Sequence, residues 1–166
     1  MLKKFLIVPA IVFLASYILP LVYWPQMLNW PFFISQGWLP YRDIAIVHTP
    51  FLLGLLTASY KLFGFNPWTL HLFGSLLLAF RTALIGVMTK SFSSQVIFGS
   101  LVLALSGNTV WFESLLAPML LLVYWALKSK KFVVAGILFG LALTTKQTAA
   151  YLLLVVALSL LKQKPK

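Results

Sequence analysis

The stretch PWTLHLFGSLLLAFRTALIGVMT, which runs from Pro67 to Thr89, decides how this chain folds. Arg81 is the only charged residue in it. An α-helix rises about 1.5 Å per residue, so about 20 apolar residues are needed to cross a hydrocarbon core about 30 Å thick. The stretch is that long, and we therefore predict that it forms a transmembrane helix.

The composition of the whole chain points to the same class of protein. Of 166 residues, 61% are hydrophobic and 9% are charged, and the mean hydropathy is +0.98. A soluble domain carries about 25% charged residues and about 45–50% apolar ones. A soluble domain of this length could not bury so much apolar surface, and a disordered chain would contain far less of it. We predict an all-α, polytopic integral membrane protein that forms one domain over residues 1–166.

The apolar runs predict about six transmembrane helices with a structured first outer loop. The doubtful run is Phe51–Phe63, which is short and contains Lys61. If this run does not span, most lysines fall on one side of the membrane, as basic residues do in cytoplasmic loops. Both termini are then cytoplasmic, in a bacterial or archaeal plasma membrane, and residues 25–66 form the outer loop with a short helix. The predicted spans are residues 5–24, 67–89, 92–110, 114–127, 132–145 and 148–161.

The charge balance and the absence of cysteine exclude several function classes. The chain has 13 Lys and Arg against 2 Asp and Glu, a net charge of +11. The lysines lie in short groups at the ends of apolar runs, with no basic face interleaved with aromatic residues, so no nucleic-acid partner is expected. No cysteine is present, which excludes disulfides, thiolate metal sites and thiol catalysis.

The two acids, Asp43 and Glu113, are the candidate catalytic residues, because both fall on the predicted outer side. An aspartate at a membrane interface is costly unless it is paired, solvated or used. Asp43 is either paired with Arg42 or capping a loop helix, or it is a general base or metal ligand. Glu113 is either a helix cap in a first turn, where acids complement the helix dipole, or a second carboxylate facing Asp43 across one pocket. Two carboxylates and a histidine could hold a divalent metal ion.

The candidates for binding a substrate or its phosphate are basic and polar residues on the same side, namely Arg42, His48, Lys146 and Gln147. Lys146, followed by Gln147, is unusual because it is a lysine on the predicted outer side. It either extends to lipid headgroups or binds phosphate as a point charge. His48 is a weaker candidate ligand than Asp43, and His71 reads as an interfacial polar residue. Arg81 is expected to extend toward the cytoplasmic interface.

A pair of glycines predicts one place of close helix packing. Gly136 and Gly140 have the GxxxG spacing in an apolar run, which lets two helix backbones approach each other. We expect this contact within the chain rather than between chains.

Several stretches together resemble the first outer loop and following spans of membrane-embedded glycosyltransferases of the GT-C superfamily. The closest similarity is to the protein-O-mannosyltransferase and aminoarabinose-transferase clan. The family pattern usually has an acid shortly after the first span, where this chain has none. The stretches that carry the resemblance are GWLPYRDI at 37–44, HTP at 48–50, LFGFNP at 62–67 and AGILFGLALTTKQT at 135–148.

The resemblance implies sugar transfer from a polyprenyl-phosphate-linked donor to an acceptor on the outer face. Asp43 would lie in the catalytic loop, Glu113 would face the same cavity, and Lys146 would meet the carrier phosphate. Members of the family are considerably longer, so the chain is expected to match their amino-terminal portion, as a fragment or reduced form that a second chain could complete. The alternative is a non-catalytic membrane subunit or a lipid-carrier-binding protein. A small transporter is less favoured, because transporters place ionisable residues near the midplane.

Overall fold

The chain is built from α-helices. The computed structural model describes residues 4–20, 22–106, 109–154 and 157–158, and this part of the chain contains no β-strand. The all-α prediction is therefore confirmed. In chain order the helices are α1 (Lys4–Ile18), α2 (Gln26–Ser35), α3 (Phe51–Phe63), α4 (Pro67–Thr89), α5 (Phe92–Ser106), α6 (Phe112–Lys128), α7 (Phe132–Leu143) and a 3-10 helix (Gln147–Leu152).

Helix α4 has the bounds expected from its sequence. Asn66 precedes it in an extended conformation, and its side-chain oxygen accepts a hydrogen bond of 2.9 Å from the amide of Thr69. Pro67 takes the first helical position, where its missing amide costs nothing. Lys90 ends the helix in the left-handed conformation, with φ of 54°. Within the described residues, α4 alone is both long and apolar enough to cross a membrane.

Helices α1, α5 and α7 are shorter than the predicted spans, whereas α6 (Phe112–Lys128) is longer than the predicted span 114–127. Helix α1 ends at Ile18 instead of residue 24, because Pro20 lacks an amide and disfavours helix at the residue before it. Helices α5 and α7 end at Ser106 and Leu143. The predicted last span, residues 148–161, begins in the 3-10 helix, and part of it lies outside the described residues.

The predicted outer loop contains two helices rather than one. Helices α2 and α3 pack against each other, and α3 also contacts α4. The buried Tyr60 hydroxyl of α3 donates a hydrogen bond of 3.0 Å to the carbonyl of Met27 in α2. This segment has its own apolar core, which is continuous with the start of α6; its buried members are Met27, Ile44, Ile46, Leu52, Leu53, Leu56, Tyr60, Leu70, Leu77, Val110, Phe112 and Leu115.

The segments predicted to lie outside the membrane meet at one end of the helix bundle, which we call the loop end. The rings of Trp24 and Trp111 lie 5.4 Å apart, so the segment after α1 meets the start of α6. His71, near the start of α4, lies with Nε2 3.0 Å from the carbonyl oxygen of Ser16, near the end of α1. Of the described residues, the loop end therefore comprises 19–20, 22–66, 109–111 and 143–147. The turns after α4 and α6 lie away from it.

Close helix packing occurs at other glycines than predicted. A Cβ atom at Gly136 or Gly140 would meet nothing within 4 Å, so the expectation for this pair was wrong. At Gly86 a Cβ would lie 2.4 Å from Nε2 of Gln95, and at Gly99 it would lie 2.8 Å from Cγ2 of Val12. The close approaches thus join α4 to α5 and α5 to α1.

Candidate functional site

Asp43 lies in a tight loop whose geometry depends on its carboxylate. Oδ2 accepts a hydrogen bond of 2.8 Å from the amide of Leu39, and the Asp43 amide donates one of 2.9 Å to the Leu39 carbonyl. Arg42 donates two hydrogen bonds of 2.9 Å to the same carboxylate, from Nε to Oδ1 and from Nη2 to Oδ2. Tyr41, which lies between Leu39 and Asp43 in the sequence, has a positive φ of 72°. The Arg42–Asp43 pair, one of the two readings of this position, is present.

The Asp43 loop borders two adjoining cavities. One of about 390 Å³ has Gln26, Asn29, Trp30 and Asp43 among its lining residues. The other, of about 500 Å³, lies on the Arg42 side. Both touch Trp38, whose ring stacks on Phe33 at a centroid distance of 4.9 Å. Aromatic walls beside a carboxylate and two amides suit a ligand that has both apolar faces and hydroxyl groups.

A second group forms where α6 begins. Trp111 precedes the helix in an extended conformation, and its amide donates a hydrogen bond of 3.3 Å to the Ser114 hydroxyl. This cap sets Glu113 in the first turn, where the helix dipole favours an acid. Glu113 forms an ion pair with Lys146, the residue that precedes the 3-10 helix. The two charges come from positions far apart in the sequence.

Three hydrogen bonds hold residues 47–51 of the predicted outer loop against the turn that carries Lys146. The amide of Phe51 donates to the carbonyl of Thr144 at 2.8 Å, and the Thr49 hydroxyl donates to the carbonyl of Leu143 at 3.1 Å. Gln147 Nε2 donates to the carbonyl of Val47 at 2.7 Å. Gln147 therefore positions a loop backbone. These bonds set His48 beside the Glu113–Lys146 pair.

His48 packs against the aromatic residues at the start of α6. Its ring centroid lies 4.2 Å from that of Phe112 and 5.7 Å from that of Trp111. Its Nδ1 is buried and has no hydrogen-bond partner among the described residues. Burial lowers the pKa of His48, the Lys146 charge lowers it further, and the Glu113 charge acts the other way. The imidazole is therefore neutral at pH 7, with an unused ring nitrogen next to an ion pair.

The described contacts do not bring the two acids together as expected. Asp43 pairs with Arg42, and Glu113 pairs with Lys146. The Asp43 loop is linked to the second group through Tyr41, whose hydroxyl donates a hydrogen bond of 2.8 Å to the carbonyl of His48. Among the described residues, no group of three or more His, Cys, Asp and Glu side chains is placed to hold a metal ion. The metal hypothesis therefore gains no support from the geometry.

Both acids have pKa values below their ordinary ones. Hydrogen bonds from the Arg42 side chain and the Leu39 amide lower the pKa of Asp43. Partial burial raises the pKa of Glu113, but the hydrogen bond and charge of Lys146, with a smaller effect of His48, bring it below its ordinary value. Each carboxylate is therefore held in its charged form, which makes it a weak proton acceptor while its basic partner stays in place.

These shifts predict how stability depends on pH. A carboxyl group with a lowered folded-state pKa stabilises the fold above its unfolded-state pKa, and that contribution is lost as pH falls through the folded-state value. Tm of the purified protein in detergent should fall slightly as the pH drops below 6.5, because the pKa of His48 is lowered in the fold, and the larger fall, of a few degrees, should come once the pH drops below the ordinary values of 4.5 for Glu113 and 3.8 for Asp43. Glu113→Gln should reduce that fall. An equal acid-induced fall in the variant would contradict the assignment.

Two polar residues of α4 make contacts with neighbouring helices. His71 is 3% exposed, and its ring stacks on Tyr17 at 5.0 Å. The Arg81 guanidinium lies 5.9 Å from the centroid of the Phe98 ring. Trp38, Tyr41 and Trp111 contribute to the site but were not predicted from the sequence. Their positions as aromatic residues near Gly37 and Glu113 could have indicated them.

Comparison of the chain with models of protein families, with curated proteins and with solved structures found no match. The functional assignment therefore rests on the sequence and on the geometry of the loop end.

Proposed function

We propose that the chain is a polytopic membrane protein with the loop end on the outer face. The surface of the helices supports this, since large apolar side chains are exposed along them, for example Ile11 (58%), Leu101 (53%) and Ile137 (61%). So does the arrangement of the ends, because the segments that the lysine pattern places outside meet at the loop end. The helices shorter than a full span would be accommodated by local thinning of the bilayer or by flanking residues.

We propose further that the loop end binds a polyprenyl-phosphate-linked sugar and transfers the sugar to an acceptor. One observation carries this: Glu113, Lys146 and His48, drawn from three remote segments, lie together beside the loop that the GT-C resemblance marks. Lys146 is the phosphate-binding cation, and its ammonium group can exchange a carboxylate partner for a phosphate oxygen.

The Glu113–Lys146 pair gives this mechanism an order of events. When the carrier phosphate takes Lys146, Glu113 loses its main counter-charge and its pKa rises toward the range of a general base. An acceptor hydroxyl then attacks the anomeric carbon, the bond from that carbon to the phosphate oxygen breaks, and the lipid phosphate leaves. The hydroxyl proton passes to Glu113, while Lys146 stabilises the phosphate that departs. Asp43 remains tied to Arg42 and shapes the cavity for the sugar.

Binding of the lipid carrier without transfer is the second candidate, and one observation favours it. Both carboxylates are neutralised by basic partners, Asp43 in a two-point contact with Arg42 and Glu113 in its pair with Lys146. A protein that only holds the carrier phosphate needs the lysine and no free base.

A transfer assay in membranes separates these functions. Vesicles that contain the protein are given polyprenyl-phosphate-linked sugars with a labelled sugar, and both retention of the donor and transfer to membrane acceptors are measured. We expect Glu113→Gln to lower transfer about 100-fold while keeping donor retention, and Lys146→Gln to lower both. Lys128→Gln, a basic residue away from the loop end, is the matched control and should leave both unchanged.

Each result decides between the candidates. Retention that requires Lys146, without any transfer by the wild type, would establish the carrier-binding function and reject the enzyme. Wild-type membranes that neither retain the donor nor transfer the sugar would reject both.

A further inference from the structure

Arg81 carries a charge that this chain does not neutralise. The chain contains 2 acidic residues, and both form ion pairs at the loop end, Asp43 with Arg42 and Glu113 with Lys146. Arg81 lies in the second half of α4, eight residues before the helix ends at Thr89. At about 1.5 Å per residue it is about 12 Å along the helix from that end. On the proposed membrane placement, on which this inference rests, the charge lies within the inner half of the bilayer.

The contacts of Arg81 do not compensate for this position. Its Nε is buried and has no hydrogen-bond partner among the described residues. Its guanidinium lies over the Phe98 ring, and a contact of this kind contributes about 0.5–2 kcal/mol. Insertion of an arginine at the centre of a membrane helix costs about 2.5–3.5 kcal/mol or more. The ring alone does not balance that cost, and both acids of the chain are paired elsewhere, Asp43 with Arg42 and Glu113 with Lys146.

The neighbourhood of Arg81 is polar as well as apolar. Thr82 and Gln95 are fully buried between α4 and α5, and Gln95 Nε2 donates a hydrogen bond of 3.1 Å to the carbonyl of Thr82. We call this contact between Thr82 of α4 and Gln95 of α5 the α4–α5 seam. On the proposed membrane placement it lies in the cytoplasmic half of the bundle, on the same side as Lys90 at the end of α4. Anionic headgroups of the cytoplasmic leaflet are attracted to such basic helix ends.

We propose that Arg81 binds the phosphate of an anionic lipid whose headgroup is drawn in beside the α4–α5 seam from the inner leaflet. A guanidinium fork matches two phosphate oxygens, and the phosphate supplies the counter-charge that the chain lacks. The lipid would act as a structural partner of the helix pair, separate from the donor lipid at the loop end.

Retention of lipid by the purified protein tests this. Wild type is extracted in mild detergent, mixed with equal amounts of phosphatidylglycerol and phosphatidylcholine, and examined by native mass spectrometry. We expect selective phosphatidylglycerol adducts in the wild type and about tenfold weaker retention in Arg81→Gln, since one charge-assisted contact is lost. Arg81→Lys should retain part of it, and Lys128→Gln, the matched control in the last turn of α6, most of it. Inorganic phosphate at millimolar concentration should not displace the phosphatidylglycerol if the ligand is a lipid. Displacement would show that the site binds free phosphate, and it would overturn the proposal.

A second measurement uses the wild type alone and does not depend on a variant that folds. A phosphatidylglycerol with a photoreactive group in its headgroup is crosslinked to the protein in vesicles, and the modified peptides are identified. We expect modification in the second half of α4 and the first half of α5. Crosslinks confined to other helices would overturn the proposal, and so would equal lipid retention by wild type and Arg81→Gln. A dimer that is lost in Arg81→Gln, without any lipid preference in the wild type, would also overturn it, because the partner of Arg81 would then be a carboxylate of a second copy. None of these readouts depends on sugar transfer, so the proposal can fail while the proposed function stands.

Discussion

Replacement of Phe112 by alanine is expected to lower the free energy of unfolding by about 3–5 kcal/mol, as is usual for a fully buried phenylalanine. The Phe112 side chain is 0% exposed, and it joins the core of the outer loop to the first turn of α6. Its ring contacts His48 and also lies edge-on to Trp111, at a centroid distance of 5.4 Å. An alanine would leave a cavity that neither neighbour can fill without moving.

Unfolding by sodium dodecyl sulfate from mild detergent, followed by circular dichroism, measures this effect. Phe132→Ala is the matched control, because Phe132 begins α7 and is 44% exposed; we expect less than about 1 kcal/mol for it. A Phe112→Ala protein as stable as Phe132→Ala would show that the outer loop does not pack on α6.

Gly86→Ala is expected to destabilise the protein by about 2–3 kcal/mol, although glycine to alanine in a helix ordinarily stabilises by up to about 1 kcal/mol. The new Cβ would lie 2.4 Å from Nε2 and 2.6 Å from Cδ of Gln95. These atoms form the end of the Gln95 side chain, which is fully buried, so the amide would have to move within the packed α4–α5 contact. Its hydrogen bond to the Thr82 carbonyl would be broken, and breaking a buried hydrogen bond costs about 1–3 kcal/mol.

Gly136→Ala is the control of opposite sign, since its Cβ would meet nothing within 4 Å. It should leave stability unchanged or raise it slightly. A double-mutant cycle with Gln95→Ala identifies the cause, because shortening Gln95 removes the atoms that clash, and the combined cost should be less than the sum of the single costs. Additive costs, or a Gly86→Ala protein as stable as Gly136→Ala, would contradict the close approach.

The sequence predicted the helices well where local signals act. The bounds of α4 follow from Asn66 and Pro67 at its start and from the chain's departure at Lys90, all of which depend on near neighbours. Apolar runs overestimated α1 and α7, because hydrophobicity continues through residues such as Pro20 that end a helix, and underestimated α6, which begins at Phe112 and ends at Lys128. The GxxxG spacing misled for a related reason: spacing shows where a close approach is sterically allowed, and packing decided that it occurs at Gly86 and Gly99.

The sequence predicted most residues of the candidate site, but, apart from the Arg42–Asp43 pair, it did not predict which of them contact one another. Arg42 and Asp43 are adjacent in sequence, so their pairing could be foreseen. The partnership of Glu113 with Lys146, and the hydrogen bonds from residues 47–51 to residues 143–147, join segments that no local pattern relates. The burial of His71 likewise depends on Ser16 of another helix.

The bonds between the first outer loop and the turn after α7 have a consequence for biosynthesis. A chain that emerges from the ribosome displays Val47, Thr49 and Phe51 long before Leu143, Thr144 and Gln147 exist. The polar groups of the early loop must therefore remain without these partners until α6 and α7 have been made and have packed against it. His48 comes to lie beside Glu113 and Lys146 only after the turn that follows α7 has been made, so the site is completed in one late step and not helix by helix.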